Sequence, residues 1–128
     1  MLARRWTICP DGNMITTTTD YWKAFFDPQN HKHQQAVQDL EIFDKEKIIL
    51  SQITLAEVSS WLTTLGKTKQ AEWFLSFAND TANVRVFHFG KEEFEKVIAI
   101  SIKKRINYSD ACLEYLHKNL NCDITDDY

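Results

Sequence analysis

Carboxylates carry most of the chemistry this sequence suggests. Asp20 follows a β-branched run, Met14 to Thr18. Glu57 opens an apolar-periodic stretch just after Ile48-Ile49-Leu50-Ser51. Asp110 opens the last periodic stretch before Asp123-Ile124-Thr125, and Asp126 and Asp127 follow that run. Acids distant in sequence that converge at one edge repel each other and favour a cation between them. A hard divalent ion such as Mg²⁺ prefers oxygen ligands and keeps several waters, so a few carboxylates suffice. Such an ion can activate water and steady the charge on a phosphodiester during in-line displacement. Each acid alone has a plainer reading, because acids at helix starts cap the helix or favour its dipole. Only their joint placement points to a metal.

The elements that must position these acids read as follows. Met14–Thr18 suits a strand. Asp20–Phe26 places Tyr21, Trp22, Phe25 and Phe26 on one helical stripe, and Asp27 ends it because the residue before a proline avoids the helical region. A second helix is predicted from about Asn30 to Phe43, and a buried strand at Ile48–Ser51. Thr54, with Glu57 three residues on, has capping-box chemistry for a helix that stops at Gly66. A helix near Lys69–Ala78, a strand at Val84–Phe89, a helix over Lys91–Arg105, a helix over Ser109–Asn119 capped by Ser109, and a strand at Asp123–Thr125 complete the order. Strands separated by pairs of helices imply an α/β fold: a central parallel sheet of about four strands, flanked by helices, with right-handed crossovers. Ligands of such sheets bind outside the carboxyl ends of the strands. Residues 1–13 read as an N-terminal extension, and 14–128 as one domain.

Composition narrows the classes. A chain of 128 residues is one domain with room for a core. With 44% hydrophobic and 26% charged residues, long disorder is excluded. Three Gly and two Pro argue for helices over a turn-rich sandwich. A net charge of −3 excludes a strongly basic nucleic-acid coat, though not a local basic patch. Cys9, Cys112 and Cys122 make an odd set without a CxxC pair, so a disulfide framework is not expected, and Cys112 reads as a small core residue. No apolar run approaches the ~18 residues of a membrane span, and the opening segment lacks the apolar stretch of a signal peptide. A cytoplasmic protein without membrane association is expected. No Gly-rich phosphate loop supports a nucleotide-binding domain.

The segments Met14-Ile15-Thr16-Thr17-Thr18-Thr19-Asp20, Phe26-Asp27-Pro28, Ser51-Gln52-Ile53-Thr54-Leu55-Ala56-Glu57-Val58, Tyr108-Ser109-Asp110-Ala111 and Thr125-Asp126-Asp127-Tyr128 resemble, in order and spacing, a PIN domain of the VapC-type ribonuclease toxins. The resemblance spans nearly everything from Met14 onward. It implies a parallel sheet flanked by helices, and RNA cleavage with Mg²⁺ or Mn²⁺ held by three or four acids. It also implies homodimers and, in toxins, an antitoxin whose peptide covers the active groove. Glu57, Asp110 and Asp127, with Asp126 adjacent, match the acidic positions. The first acid, expected at the end of the first strand, is Thr18, followed by Thr19 and Asp20. A neutral residue there removes one negative ligand. Asp20 lies two residues on, ~6.6 Å along a strand, which a ligand bond of ~2.1 Å does not absorb. The resemblance thus implies a Mg²⁺- or Mn²⁺-dependent endoribonuclease weakened at Thr18, or a PIN-like binding domain without turnover.

On the substrate side, Lys103-Lys104-Arg105 precedes Asp110, and His31-Lys32-His33, Lys67 and Lys69 supply further cations that could meet phosphates. A charge run at a helix end is also an ordinary solvated terminus. Glu114, four residues after Asp110, shares its helix face. The aromatic residues of Lys69–Ala78 and Trp61 are explained mostly by core packing.

Overall fold

Short β-branched and apolar runs pair into one sheet, and all pairings are parallel. The structure is a computed structural model that describes residues 14–125 and Tyr128. The chain order is β1 (Met14–Thr17), α1 (Thr19–Phe26), α2 (His33–Phe43), β2 (Lys47–Ser51), α3 (Gln52–Thr64), α4 (Thr68–Asp80), β3 (Val84–Phe87), α5 (Lys91–Lys104), α6 (Tyr108–Leu120) and β4 (Asp123–Thr125). The sheet order is β3-β2-β1-β4. Ile15 pairs with Ile48 on one side and Asp123 on the other, and Ile48 pairs with Val84. This is the expected α/β architecture.

Alternation along the strands builds a core on each face. Ile15, Ile48 and Leu50 enter one cluster with Trp22, Phe43, Val58, Leu62 and Phe74 from the first four helices. Met14 and Ile49 turn the other way, toward Val97, Cys112, Tyr115 and Leu116 of α5 and α6. Cys112 is fully buried, as a small core residue should be.

The helix boundaries follow local chemistry, with two corrections. Asp27 is extended before Pro28 and ends α1. Gly66, at φ 76°, closes α3: its N–H meets the Thr63 carbonyl at 3.0 Å, and the Lys67 N–H meets the Leu62 carbonyl at 2.9 Å. The cap of α3 is Ser51, not Thr54. The Ser51 hydroxyl accepts the Ile53 N–H at 3.2 Å, while Thr54 is buried in the first turn. Glu57 therefore sits in the second turn of α3 and not at its start. Likewise Asn107, not Ser109, caps α6, accepting the Asp110 N–H at 2.8 Å. The predicted extension, 1–13, and the acids Asp126 and Asp127 lie outside the described residues.

Candidate active site

The chain winds from β1 to β2 to β3 in one direction, then returns to place β4 on the far side of β1. The carboxyl ends of β1 and β4 therefore flank the point where the winding reverses, which is where open α/β sheets form a crevice. Hydrogen bonds fix that edge. The Thr18 N–H donates to Thr125 Oγ1 at 3.0 Å, and the buried Trp22 indole donates to Thr17 Oγ1 at 2.7 Å. Thr18 is the N-cap of α1, its hydroxyl accepting the Tyr21 N–H at 3.0 Å. The residue at the position of the first acid is therefore neutral, and its oxygen is occupied by the helix.

Glu57 is brought to the same edge by α3, which begins where β2 ends. Its Oε1 accepts the Thr19 hydroxyl at 2.7 Å across 38 positions of sequence. The exposed carboxylate is thereby held against the start of α1. From the opposite face of the sheet, the Cys112 thiol lies beside the Ser51 and Tyr108 hydroxyls. Burial raises the pKa of the Cys112 thiol, with the two hydroxyls opposing the rise and the Glu57 charge adding to it. Tyr108 is pushed up to about 12, chiefly by desolvation and then by the neighbouring thiol.

Asp110 occupies the first turn of α6 and is exposed. Because β4 starts soon after α6 ends, α6 runs back along the sheet with its first turn at the carboxyl edge. Asp20 is exposed in the first turn of α1, beside the Thr19 stripe and not on it. Among the described residues no three His, Cys, Asp or Glu side chains lie close enough to hold one metal ion. With Thr18 neutral and already bonded, these residues do not by themselves fit a tightly held Mg²⁺ or Mn²⁺, which needs a near-octahedral oxygen shell.

The remaining candidates divide. Lys104 pairs with Glu114 at 2.7 Å, so Glu114 answers a cation and Lys104 is partly neutralised. Lys103 is exposed, and Arg105 is the left-handed C-cap of α5 at φ 57°, placed by the same topology at the carboxyl edge. His33 Nδ1 bonds the Ala24 carbonyl at 3.0 Å and His117 Nδ1 bonds the Cys122 carbonyl at 2.7 Å, so the first ring ties α2 to α1 and the second ties the link before β4 to α6. Asp39, a fully buried acid, accepts from Gln35 and from the Tyr128 hydroxyl. Sequence reading missed a groove of about 500 Å³ between α1 and α3, lined by Thr19, Lys23, Ala56, Glu57, Ser60 and Trp61. The i, i+4 pairs Thr19/Lys23 and Glu57/Trp61 were its signal.

The model of the PIN domain matches residues 19–128 of the chain. This chain belongs to the PIN domain family. Its fold is also similar to the crystal structure of VapC20 from Mycobacterium tuberculosis, a toxin that cleaves the sarcin-ricin loop. That match has a TM-score of 0.70 at 16% identity and covers 84% of each chain. No curated protein sequence matches. No helix among the described residues is long and apolar enough to cross a membrane.

Proposed function

We propose that this PIN-domain protein acts on RNA as a toxin-type ribonuclease whose phosphodiester cleavage is attenuated at Thr18. The placement of Glu57 and Asp110 at the carboxyl edge of the sheet carries the reading. With Asp127 they are the residues that would hold Mg²⁺ or Mn²⁺, with Asp20 and Asp126 beside them, and the neutral Thr18 makes that hold weak. Thr19 fixes the Glu57 carboxylate, and Lys103, Lys104 and Arg105 offer positive charge near the start of α6 for the RNA backbone. The occupied Thr18 hydroxyl favours a second reading, a PIN-like domain that binds RNA without turnover.

Protein partners follow from exposed apolar side chains, among them Trp73, Leu75, Phe94 and Ile102. A second copy of the chain and an antitoxin peptide are the partners we assign to such surfaces.

Cleavage of single-stranded RNA with Mg²⁺ or Mn²⁺ decides between the readings. Weak activity abolished by Glu57→Gln or Asp110→Asn supports the attenuated enzyme. Activity gained only in Thr18→Asp supports the disabled site. Cleavage indifferent to all three changes refutes both.

A further inference from the structure

The groove between α1 and α3 holds the pairing of groups that single-stranded nucleic acid needs. Lys23 Nζ stands 5.7 Å from the centroid of the Trp61 ring. Both side chains are partly exposed, in a cleft of about 500 Å³ whose other walls are Thr19, Ala56, Glu57 and Ser60. Thr19 and Lys23 lie one turn apart on α1, and Glu57 and Trp61 one turn apart on α3, so two stripes face each other across the cleft. The body of Trp61 packs against the core, which fixes the plane of its ring.

Resting on the ribonuclease reading above, we propose that this groove is a nucleotide subsite: Lys23, which lies over the Trp61 ring in the free protein, swings off it to meet a backbone phosphate as one RNA base stacks in its place. The ring lies four residues from Glu57, ~6 Å along the helix axis, which places the stacked base next to the phosphate that faces the carboxylate. Stacking on an aromatic side chain accepts any base, because every base has a π-face. The subsite therefore adds affinity and orientation with little sequence preference. Ser60, on the same wall, adds a hydroxyl that can bond a ribose or base edge. A basic peptide fits the groove less well, since Lys23 would repel the cation that Glu57 attracts.

The test uses the whole protein in EDTA, so that turnover is silent, and a fluorescent single-stranded RNA oligonucleotide beside its abasic analogue. The expected results are tighter binding of the base-bearing strand, loss of about tenfold in that affinity with Trp61→Ala, and retention of most of it with Trp61→Phe. Lys23→Ala should lower the slope of log affinity against log salt by about 0.7, the release expected for one phosphate on a single strand. Thermal melts of each variant separate lost folding from lost stacking. Wild-type binding that ignores all three substitutions refutes the subsite and leaves the ribonuclease reading standing. Absence of RNA binding by the wild type in EDTA, or occupation of the groove by an arginine-rich peptide in place of RNA, refutes the subsite; absence of binding that persists with Mn²⁺ added refutes the ribonuclease reading as well.

Discussion

Replacing Thr18 with aspartate separates two jobs that one position performs. Thr18 caps α1 through its hydroxyl, which accepts the Tyr21 N–H at 3.0 Å. Aspartate is at least as good an N-cap as threonine, and a negative charge at a helix N-terminus gains roughly 0.3–1 kcal/mol from the dipole. The fold should therefore survive Thr18→Asp. What changes is the charge at the carboxyl end of β1. At an effective dielectric of ~20, a divalent ion and a carboxylate ~4 Å apart attract by about 8 kcal/mol, twice the single-charge value. Stripping water from the new carboxylate costs several kcal/mol of this. A net gain of about 3 kcal/mol is ~100-fold in affinity. Mn²⁺ titration by calorimetry should show that tightening for Thr18→Asp and not for the uncharged control Thr18→Asn, with cleavage of single-stranded RNA rising in the aspartate variant alone. Bound metal should also raise its melting temperature, since saturation at ~100 times Kd stabilises by about 2.7 kcal/mol. A Thr18→Asp protein that melts like the wild type yet binds Mn²⁺ no more tightly would refute the placement of the metal beside β1.

Three further outcomes are expected. Thr18→Ala removes the cap without supplying charge and should cost about 1 kcal/mol in urea unfolding, with metal affinity unchanged. Arg105→Gly relieves a left-handed arginine at φ 57° and should raise stability by about 0.5–1 kcal/mol while weakening RNA binding, so stability and affinity move in opposite directions. Cys112 and Tyr21 hold their protons more tightly in the folded chain than their ordinary values of 9.0 and 10.0, in both cases chiefly through burial. Their contribution is complete below about pH 9 and is lost as pH rises beyond it, because the unfolded chain ionises first. The urea midpoint should therefore stay level to that point and then fall, with a smaller fall in Cys112→Ser; an identical alkaline fall in that variant would show that the thiol plays no part.

The fold was legible because period and punctuation agreed along most of the chain. The buried strand at Ile48–Ser51, the stop at Asp27-Pro28, and Gly66 ending α3 are local consequences of residue type, and each appears where expected. The caps were misread for a physical reason. Thr54 with Glu57 has the composition of a capping box, but Ser51 already stands at the end of β2. Starting the helix at once satisfies its first amides without leaving Gln52 and Ile53 as loop. That moves Glu57 a turn deeper. At α6, Asn107 outcompetes Ser109, an N-cap of about equal strength, because it stands two residues earlier, where the chain leaves the left-handed Arg105.

The candidate site was legible only at the level of which residues carry charge. Glu57 and Asp110 could be assigned to strand edges from element order alone, since parallel topology puts every strand end on one side of the sheet. What sits beside them could not be assigned in that way. The Thr19–Glu57 hydrogen bond joins α1 to α3, and the rotation of α1 is held on its buried side by Trp22 against Phe74 of α4, with ring centroids 4.7 Å apart. No one-dimensional pattern encodes that rotation. It decides that Thr19 and Lys23 face Glu57 and Trp61, and that Asp20, one residue further round, faces solvent. A substitution that loosens α1 against α4, such as Phe74→Ala with its expected cost of about 3–5 kcal/mol, should therefore disturb the groove on the other face of α1. A preserved Trp61 stacking signal in a folded Phe74→Ala protein would show that the two stripes are aligned by their own contacts and not by the core beneath them.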